Sequence, residues 1–369
     1  MSLPRLQPLL IAGLLPLLVF AWFTPQISGQ IDFWLLWLVA MVLVGLPLVF
    51  AEVGLAHRSG TTPLVGLPKL TREADVSTVW RGFGWLTALL LLIVTGHLLA
   101  SASGLLLPTL NGMALPALLG ILVLVVIGLS FTKQMAGWLA VGLAVIAIVV
   151  NFTQPHTGMA WQMTAVSLPE WTTAVLLALV SVGAGTGLYW HARASQLLSG
   201  ESEANNCENG SKNASKLIAS RQVLPVWGLQ MLVGALMAMT VTPTSQLAGS
   251  IYAIAMVAGA GYLVNVVTHQ LSLFWQQQAF NFLALVIVAL VATGFAFLPT
   301  AILNQLLVVI SLVCALWLAV FSGWQMKISH LRKSLNFGSE GIYNLWRIAV
   351  RIVVPLAIIL ALGGWVMSL

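Results

Sequence analysis

Apolar stretches of seventeen or more residues recur eleven times along this chain, at about 8–24, 33–56, 81–107, 114–132, 136–152, 172–192, 222–242, 247–269, 278–298, 302–324 and 343–367. Each is long enough for a helix to cross about 30 Å of hydrocarbon, and none alternates like a barrel strand. In lipid every backbone polar group needs a partner inside the protein, which leaves the helix as the spanning element. Only 7% of the residues are charged and 60% are hydrophobic, with a mean hydropathy of +1.00. A soluble domain carries about 25% charged residues, so an aqueous globule is excluded. The expected fold is an all-α integral membrane protein with eleven spanning helices in a single domain, residues 1–369.

The charges give an independent check. With the N-terminus in the cytoplasm, all fifteen Lys and Arg fall on the cytoplasmic side. They are Arg5; Arg58, Lys69, Arg72 and Arg81; Lys133; Arg193, Lys212, Lys216 and Arg221; and Lys327, Arg332, Lys333, Arg347 and Arg351. That asymmetry follows the positive-inside rule and puts the C-terminus outside, in the inner (plasma) membrane. The net charge of +6 then reports orientation and contact with anionic lipid headgroups, and implies no nucleic-acid partner.

Segment one follows a single Arg but lacks a small-residue cleavage pattern near Thr24-Pro25, so it reads as a helix and not as a signal peptide. Under this topology Cys207 and Cys314 cannot meet, and no disulfide framework is expected. The Ser, Asn and Glu-rich stretch 199–216 reads as a flexible cytoplasmic connector. Its Asn209 and Asn213 triplets match the glycosylation pattern, yet a cytoplasmic loop does not meet that machinery.

Segments one to five and six to ten form two groups of five, 8–152 and 172–324, with 343–367 as an extra helix. An odd number of helices per group inverts the second group relative to the first, and inverted repeats place broken helices at matching positions. Segment six carries Ser181-Val182-Gly183-Ala184-Gly185-Thr186-Gly187. Glycine costs about 1 kcal/mol relative to alanine inside a helix, so three alternate glycines predict an opened turn. Segment one carries Ala12-Gly13-Leu14-Leu15-Pro16, and Pro16 predicts a second interruption facing the first. Close helix packing is the alternative role for such small residues.

Glu52 is the acidic residue well inside an apolar run, where a charged carboxylate costs about 2.5–3.5 kcal/mol without a partner. Two roles fit it: a brace for free backbone groups, or a protonatable carrier. His97 and His191 titrate in the neutral range when unperturbed, but lone histidines in bundles serve mostly as packing groups. Trp138, Trp161 and Trp171 lie near segment ends, as an aromatic belt predicts, and Arg347 and Arg351 read as snorkelling to the cytoplasmic surface. No phosphate-cradling loop, metal-spaced Cys/His set or Ser-His-Asp arrangement supports an enzyme.

Gly45-Leu46-Pro47-Leu48-Val49-Phe50-Ala51-Glu52-Val53-Gly54-Leu55-Ala56-His57-Arg58-Ser59-Gly60, then Thr62-Pro63 and Gly84-Trp85-Leu86, resembles the second helix and first cytoplasmic loop of the neurotransmitter:sodium symporter family. Ser181-x-Gly183-x-Gly185 resembles that family's broken sixth helix, and Leu345-Trp346-Arg347 through Pro355 resembles the last helix of its eleven-helix bacterial members. The resemblance implies sodium-driven transport of amino acids or related amines, with the substrate between the unwound parts of helices one and six and its carboxylate near helix-end amides. It also implies that Glu52 holds amides of the broken helices. Carried over residue by residue, the substrate positions are Gly13, Thr95, Ser181, Gly183 and Gly185.

The chain departs from the family at the cation sites. The motif places Leu14, Leu17 and Val19 where the first helix should break, Phe20 at the sodium-ligating Asn and Phe23 at the gating Arg. Leu179, Val226 and the Ala258-Gly259-Ala260-Gly261 run fall at further ligand positions, leaving chiefly the carbonyls of Gly13 and Pro16 for a hard cation that wants oxygen. No cofactor is therefore expected beyond the sodium ion that the resemblance implies and the side chains do not match. The expectation is a secondary transporter of a small amino acid or amine by alternating access, proton-linked or passive. The alternative is a non-transporting relative acting as a sensor or partner subunit. Substrate, coupling ion and oligomeric state are left open.

Overall fold

A computed structural model describes residues 6–23, 29–110, 112–153, 161–206, 219–238, 245–276 and 281–368. Among the described residues, six helices are long and apolar enough to cross a bilayer: Ile31–Ser59, Thr78–Thr109, Gln134–Phe152, Gln246–Trp275, Thr300–Gln325 and Glu340–Met367. Five shorter apolar helices, Gln7–Trp22, Leu115–Ser130, Leu168–Val182, Gln222–Ala238 and Asn281–Ala296, complete the eleven spans. In chain order they are helices one to eleven, with Leu168–Val182 the first part of helix six and Leu188–Asn206 its second part. Each matches one apolar run of the sequence.

The third member of each five-helix group, helix three and helix eight, is the longest of its half, and the two pack on each other along the centre. Helix eight approaches closely because Gly259 and Gly261 remove side chains where Leu18 of helix one and Leu129 of helix four come in. Between helices two and three, Pro63–Ala74 forms an amphipathic helix. Its Glu73 pairs with Arg58 at 2.9 Å and lies 3.9 Å from His330, which ties it to the short helix Ile328–Leu335.

Helix eleven is fastened by widened turns. Pro47 and Pro355 each crowd the carbonyl four residues back, and each follows a π turn, Met41–Gly45 and Ala349–Val353. A third, Phe321–Gln325, closes helix ten against the latter. Carbonyls in these stretches take side-chain donors from neighbouring helices. Trp227 Nε1 donates to Met41 O at 3.1 Å, Trp346 Nε1 to Pro47 O at 3.0 Å and Arg351 Nε to Gly323 O. Arg351 also lies over the Trp324 ring at 5.2 Å. It turns back onto helix ten where simple snorkelling was expected.

Two expectations change. The chain is helical through 199–206, as a continuation of helix six, where a flexible connector was expected; Cys207, Asn209 and Asn213 lie outside the described residues. The expected interruption at Ala12–Pro16 is absent. Gln7–Val19 is one helix with Pro16 inside it, and α geometry ends only after Val19, in a tight turn Phe20–Trp22. Less than one turn of helix follows Pro16, and the carbonyls freed where the helix ends find partners. Phe20 N donates to Pro16 O, and Tyr252 Oη donates to Leu17 O at 2.6 Å.

Candidate functional site

Helix six opens where its glycines predict. Leu168–Val182 ends at Gly183, and the next helix starts at Leu188, with Gly183, Gly185 and Gly187 at φ of 67°, 77° and 75°. Only glycine visits this left-handed region without cost. Space demands glycine as well, since a Cβ at these positions would lie 2.4 Å from Leu15 Cδ1, 2.8 Å from Cys314 Cβ and 2.8 Å from Pro63 Cγ.

The opened amides all find acceptors. Gly183 N donates to Val180 O and Ala184 N to Leu179 O, a left-handed cap on the first half. Glu52, fully buried in helix two, receives Gly185 N on Oε2 at 2.7 Å and Gly187 N on Oε1 at 2.9 Å. Thr186 N bonds Gly183 O, and Leu188 N reaches Thr186 Oγ1 at 3.4 Å. On the acceptor side, Val182 O takes Tyr189 Oη at 2.7 Å and Gln230 Nε2 at 3.3 Å, while Gln230 Nε2 also donates to Tyr189 Oη at 2.8 Å. Tyr189 and Gln230 were not among the sequence candidates. A glutamine in mid-span of helix seven was the available signal, by the same cost argument that singled out Glu52.

Helix one presents Ile11, Leu15 and Leu18 along one face, spaced four and three residues apart. Leu15 and Ile11 press on Gly183, and Leu18 presses on Gly259. Gly13 lies about 200° around the helix from Ile11, and a Cβ there would meet only Val141 of helix five, at 3.9 Å. Its placement beside Gly183 and Gly185 is therefore corrected: the unbroken helix turns it away. At Gly183 helices one and six meet through Leu15 and Ile11, where two unwound segments facing a chamber were expected.

The remaining candidates scatter. Ser181 is buried in the last turn before the break, and Thr95 of helix three closes onto its own helix through Leu91 O at 2.7 Å. At the family's cation positions, Phe20, Leu179, Val226 and Ala258 are all buried apolar groups. Phe20 stacks on Trp34 and meets Trp37 edge-on. The Pro16 carbonyl already accepts the Phe20 amide.

Both ends of helix one are held by polar contacts. At one end Gln7 Nε2 donates to Tyr262 Oη at 3.3 Å and Gln134 Nε2 donates to Gln7 Oε1 at 3.3 Å. At the other, Trp22 stacks on His97 at 3.8 Å, and His97 Nε2 bonds Asn304 Oδ1 of helix ten at 2.6 Å. Removing the Tyr252 hydroxyl, which satisfies Leu17 O in this bundle, is expected to cost about 1–2 kcal/mol. Thermal unfolding of Tyr252→Phe in detergent measures it; a midpoint equal to that of the parent protein would show that Leu17 O finds another donor.

No protein-family model and no curated protein matches the sequence. Among solved structures, the crystal structure of MhsT in complex with L-phenylalanine superposes with a TM-score of 0.69, covering 98% of each chain at 14% identity. The chain thus has the neurotransmitter:sodium symporter fold, an all-helical five-plus-five inverted repeat with one added helix, and is a multi-pass membrane protein. At this identity the likeness speaks for architecture.

Proposed function

We propose that this protein is a secondary transporter of the inner membrane that moves a small amino acid or related amine by alternating access without sodium. The N-terminus faces the cytoplasm in this reading, and helix one moves to admit the solute. The observation that carries it is the opened turn Gly183–Gly187 of helix six, held by Glu52 of helix two in a bundle of the transporter fold. The phenylalanine bound to MhsT supports the amino-acid class, and the apolar side chains at the cation positions support sodium independence. With the amides of the turn already engaged, a substrate carboxylate has to displace one of these contacts or find donors elsewhere.

The packing of Leu15 and Ile11 on Gly183 favours a second reading, a non-transporting relative that acts as a sensor or partner subunit. Counterflow of alanine, leucine and phenylalanine in proteoliposomes separates the two. It is run with sodium or potassium and with or without a pH gradient, on the parent protein and on Leu15→Ala. In the transporter reading flux is saturable and indifferent to sodium. The truncation then shifts preference toward leucine over alanine about tenfold, the scale of a few carbons in an apolar pocket. No flux from either form under any gradient, together with a stoichiometric co-purifying partner, would establish the second reading instead.

A further inference from the structure

Among the described residues, a small cavity lies where helices one, two, six and seven meet, beyond the Glu52 brace and away from the Leu15 contact. Its volume is about 10 Å³, room for one water-sized group. Polar groups on its wall come from three helices: His57 of helix two, Tyr189, Arg193 and Gln196 of helix six, and Gln222 of helix seven. No carboxylate lines it. The nearest acid along helix two, Glu52, is occupied by two backbone amides.

Arg193 has no ion pair or hydrogen bond among the described residues, and its Nε lies below the surface with no acceptor. A guanidinium half out of water without a counter-charge is costly, and its planar fork matches carboxylate and phosphate oxygens. His57 Nε2 and Gln222 Oε1 are 3.0 Å apart. An amide oxygen only accepts, so in this arrangement His57 carries its proton on Nε2 and the Gln222 amino group is left to donate elsewhere. Donors thus border the cavity from two helices, and no carboxylate stands among its described lining residues.

We propose that this cavity is an oxyanion site: Arg193 and Gln222 grip one oxygen of a carboxylate or phosphate group, and the rest of that group and its molecule project through the mouth. The group belongs either to a soluble acid or to the headgroup of an anionic lipid, and the site stands whether or not the chain moves a solute.

The full-length protein in neutral detergent is titrated with sodium acetate and with inorganic phosphate, against chloride at equal ionic strength. A second arm records native mass spectra from nanodiscs of phosphatidylglycerol or of phosphatidylcholine. The expected result is a saturable rise of about 2–4 °C in thermal midpoint with an oxyanion, or retained phosphatidylglycerol without retained phosphatidylcholine. The effect is lost in Arg193→Gln, weakened about tenfold in Arg193→Lys, whose ammonium lacks the fork, and kept in Arg72→Gln, an exposed cation. Acetate or phosphate acting alone identifies a soluble acid; phosphatidylglycerol acting alone identifies the headgroup. If Arg193→Gln does not fold, Gln222→Leu serves in its place. Oxyanions no different from chloride with no lipid preference, or an effect unchanged in Arg193→Gln and Gln222→Leu, would overturn the proposal.

Discussion

Glu52→Ala is expected to lower the stability of the folded protein by about 3–6 kcal/mol, the sum of two hydrogen bonds to a charged group at roughly 1.5–3 kcal/mol each. The carboxylate holds Gly185 N and Gly187 N at 2.7 and 2.9 Å in a site with no solvent exposure, so truncation leaves two buried amides without acceptors. Glu52→Gln should lose about half as much. It keeps one oxygen acceptor and turns an amino group toward the other amide, donor against donor. Unfolding in detergent gives the magnitudes, and hydrogen exchange confined to the amides of 185 and 187 gives the location. A Glu52→Ala protein that melts within a degree of the parent would remove the brace. Flux from Glu52→Gln, with and without a pH gradient, separates brace from proton carrier. Loss of gradient dependence with flux otherwise intact is the carrier's mark, whereas a brace weakens stability and flux together.

Gly185→Ala is expected to cost about 2–5 kcal/mol. Part is the left-handed backbone at φ 77°, about 1–2 kcal/mol for a residue with a Cβ. The rest is overpacking of about 1–3 kcal/mol, because the new Cβ would sit 2.8 Å from Cys314 Cβ and 3.3 Å from the backbone carbon of Cys314, which cannot rotate away. Gly104→Ala is the control. Nothing lies within 4 Å of a Cβ there and the backbone is helical, so it should be neutral or gain up to about 1 kcal/mol. Equal effects at 104 and 185 would mean that the turn is not built on the geometry described. Gly183→Ala should lie between them, since Leu15 Cδ1 at 2.4 Å is the end of a side chain that can change rotamer.

The spans were legible because hydrophobic length is a one-dimensional property: eleven runs in the sequence became eleven apolar helices, nine of them with both ends within four residues of the run. The opened turn of helix six was legible because three alternate glycines have no better explanation in a span, and Glu52 was legible because an acid in hydrocarbon must have partners. Pro16 misled. A proline removes one hydrogen bond and crowds one carbonyl, and whether that opens a helix depends on what satisfies the carbonyls left over. Here α geometry continues through Pro16 to Val19, and Tyr252, 235 residues away, answers for the Leu17 carbonyl that the helix end leaves free. Gly13 failed with it, for with the helix unbroken its rotation about the axis decides which neighbour it meets, and that neighbour is helix five. The oxyanion cavity had no signature in sequence, as Arg193 and Gln222 sit 29 positions apart among residues that read as an inner helix end and the start of the next span.

By itself the sequence determined that this chain lives in a bilayer, how many times it crosses, and where helix six must give way, because each of these is set by local composition and backbone freedom. Only the tertiary structure decided that helix one stays whole, that Leu15 and Ile11 meet helix six at Gly183, and that Arg193 stands at a cavity with no carboxylate among its described lining residues. Those outcomes depend on which side chains distant segments bring to the same few ångströms, and no local pattern along a chain contains that information.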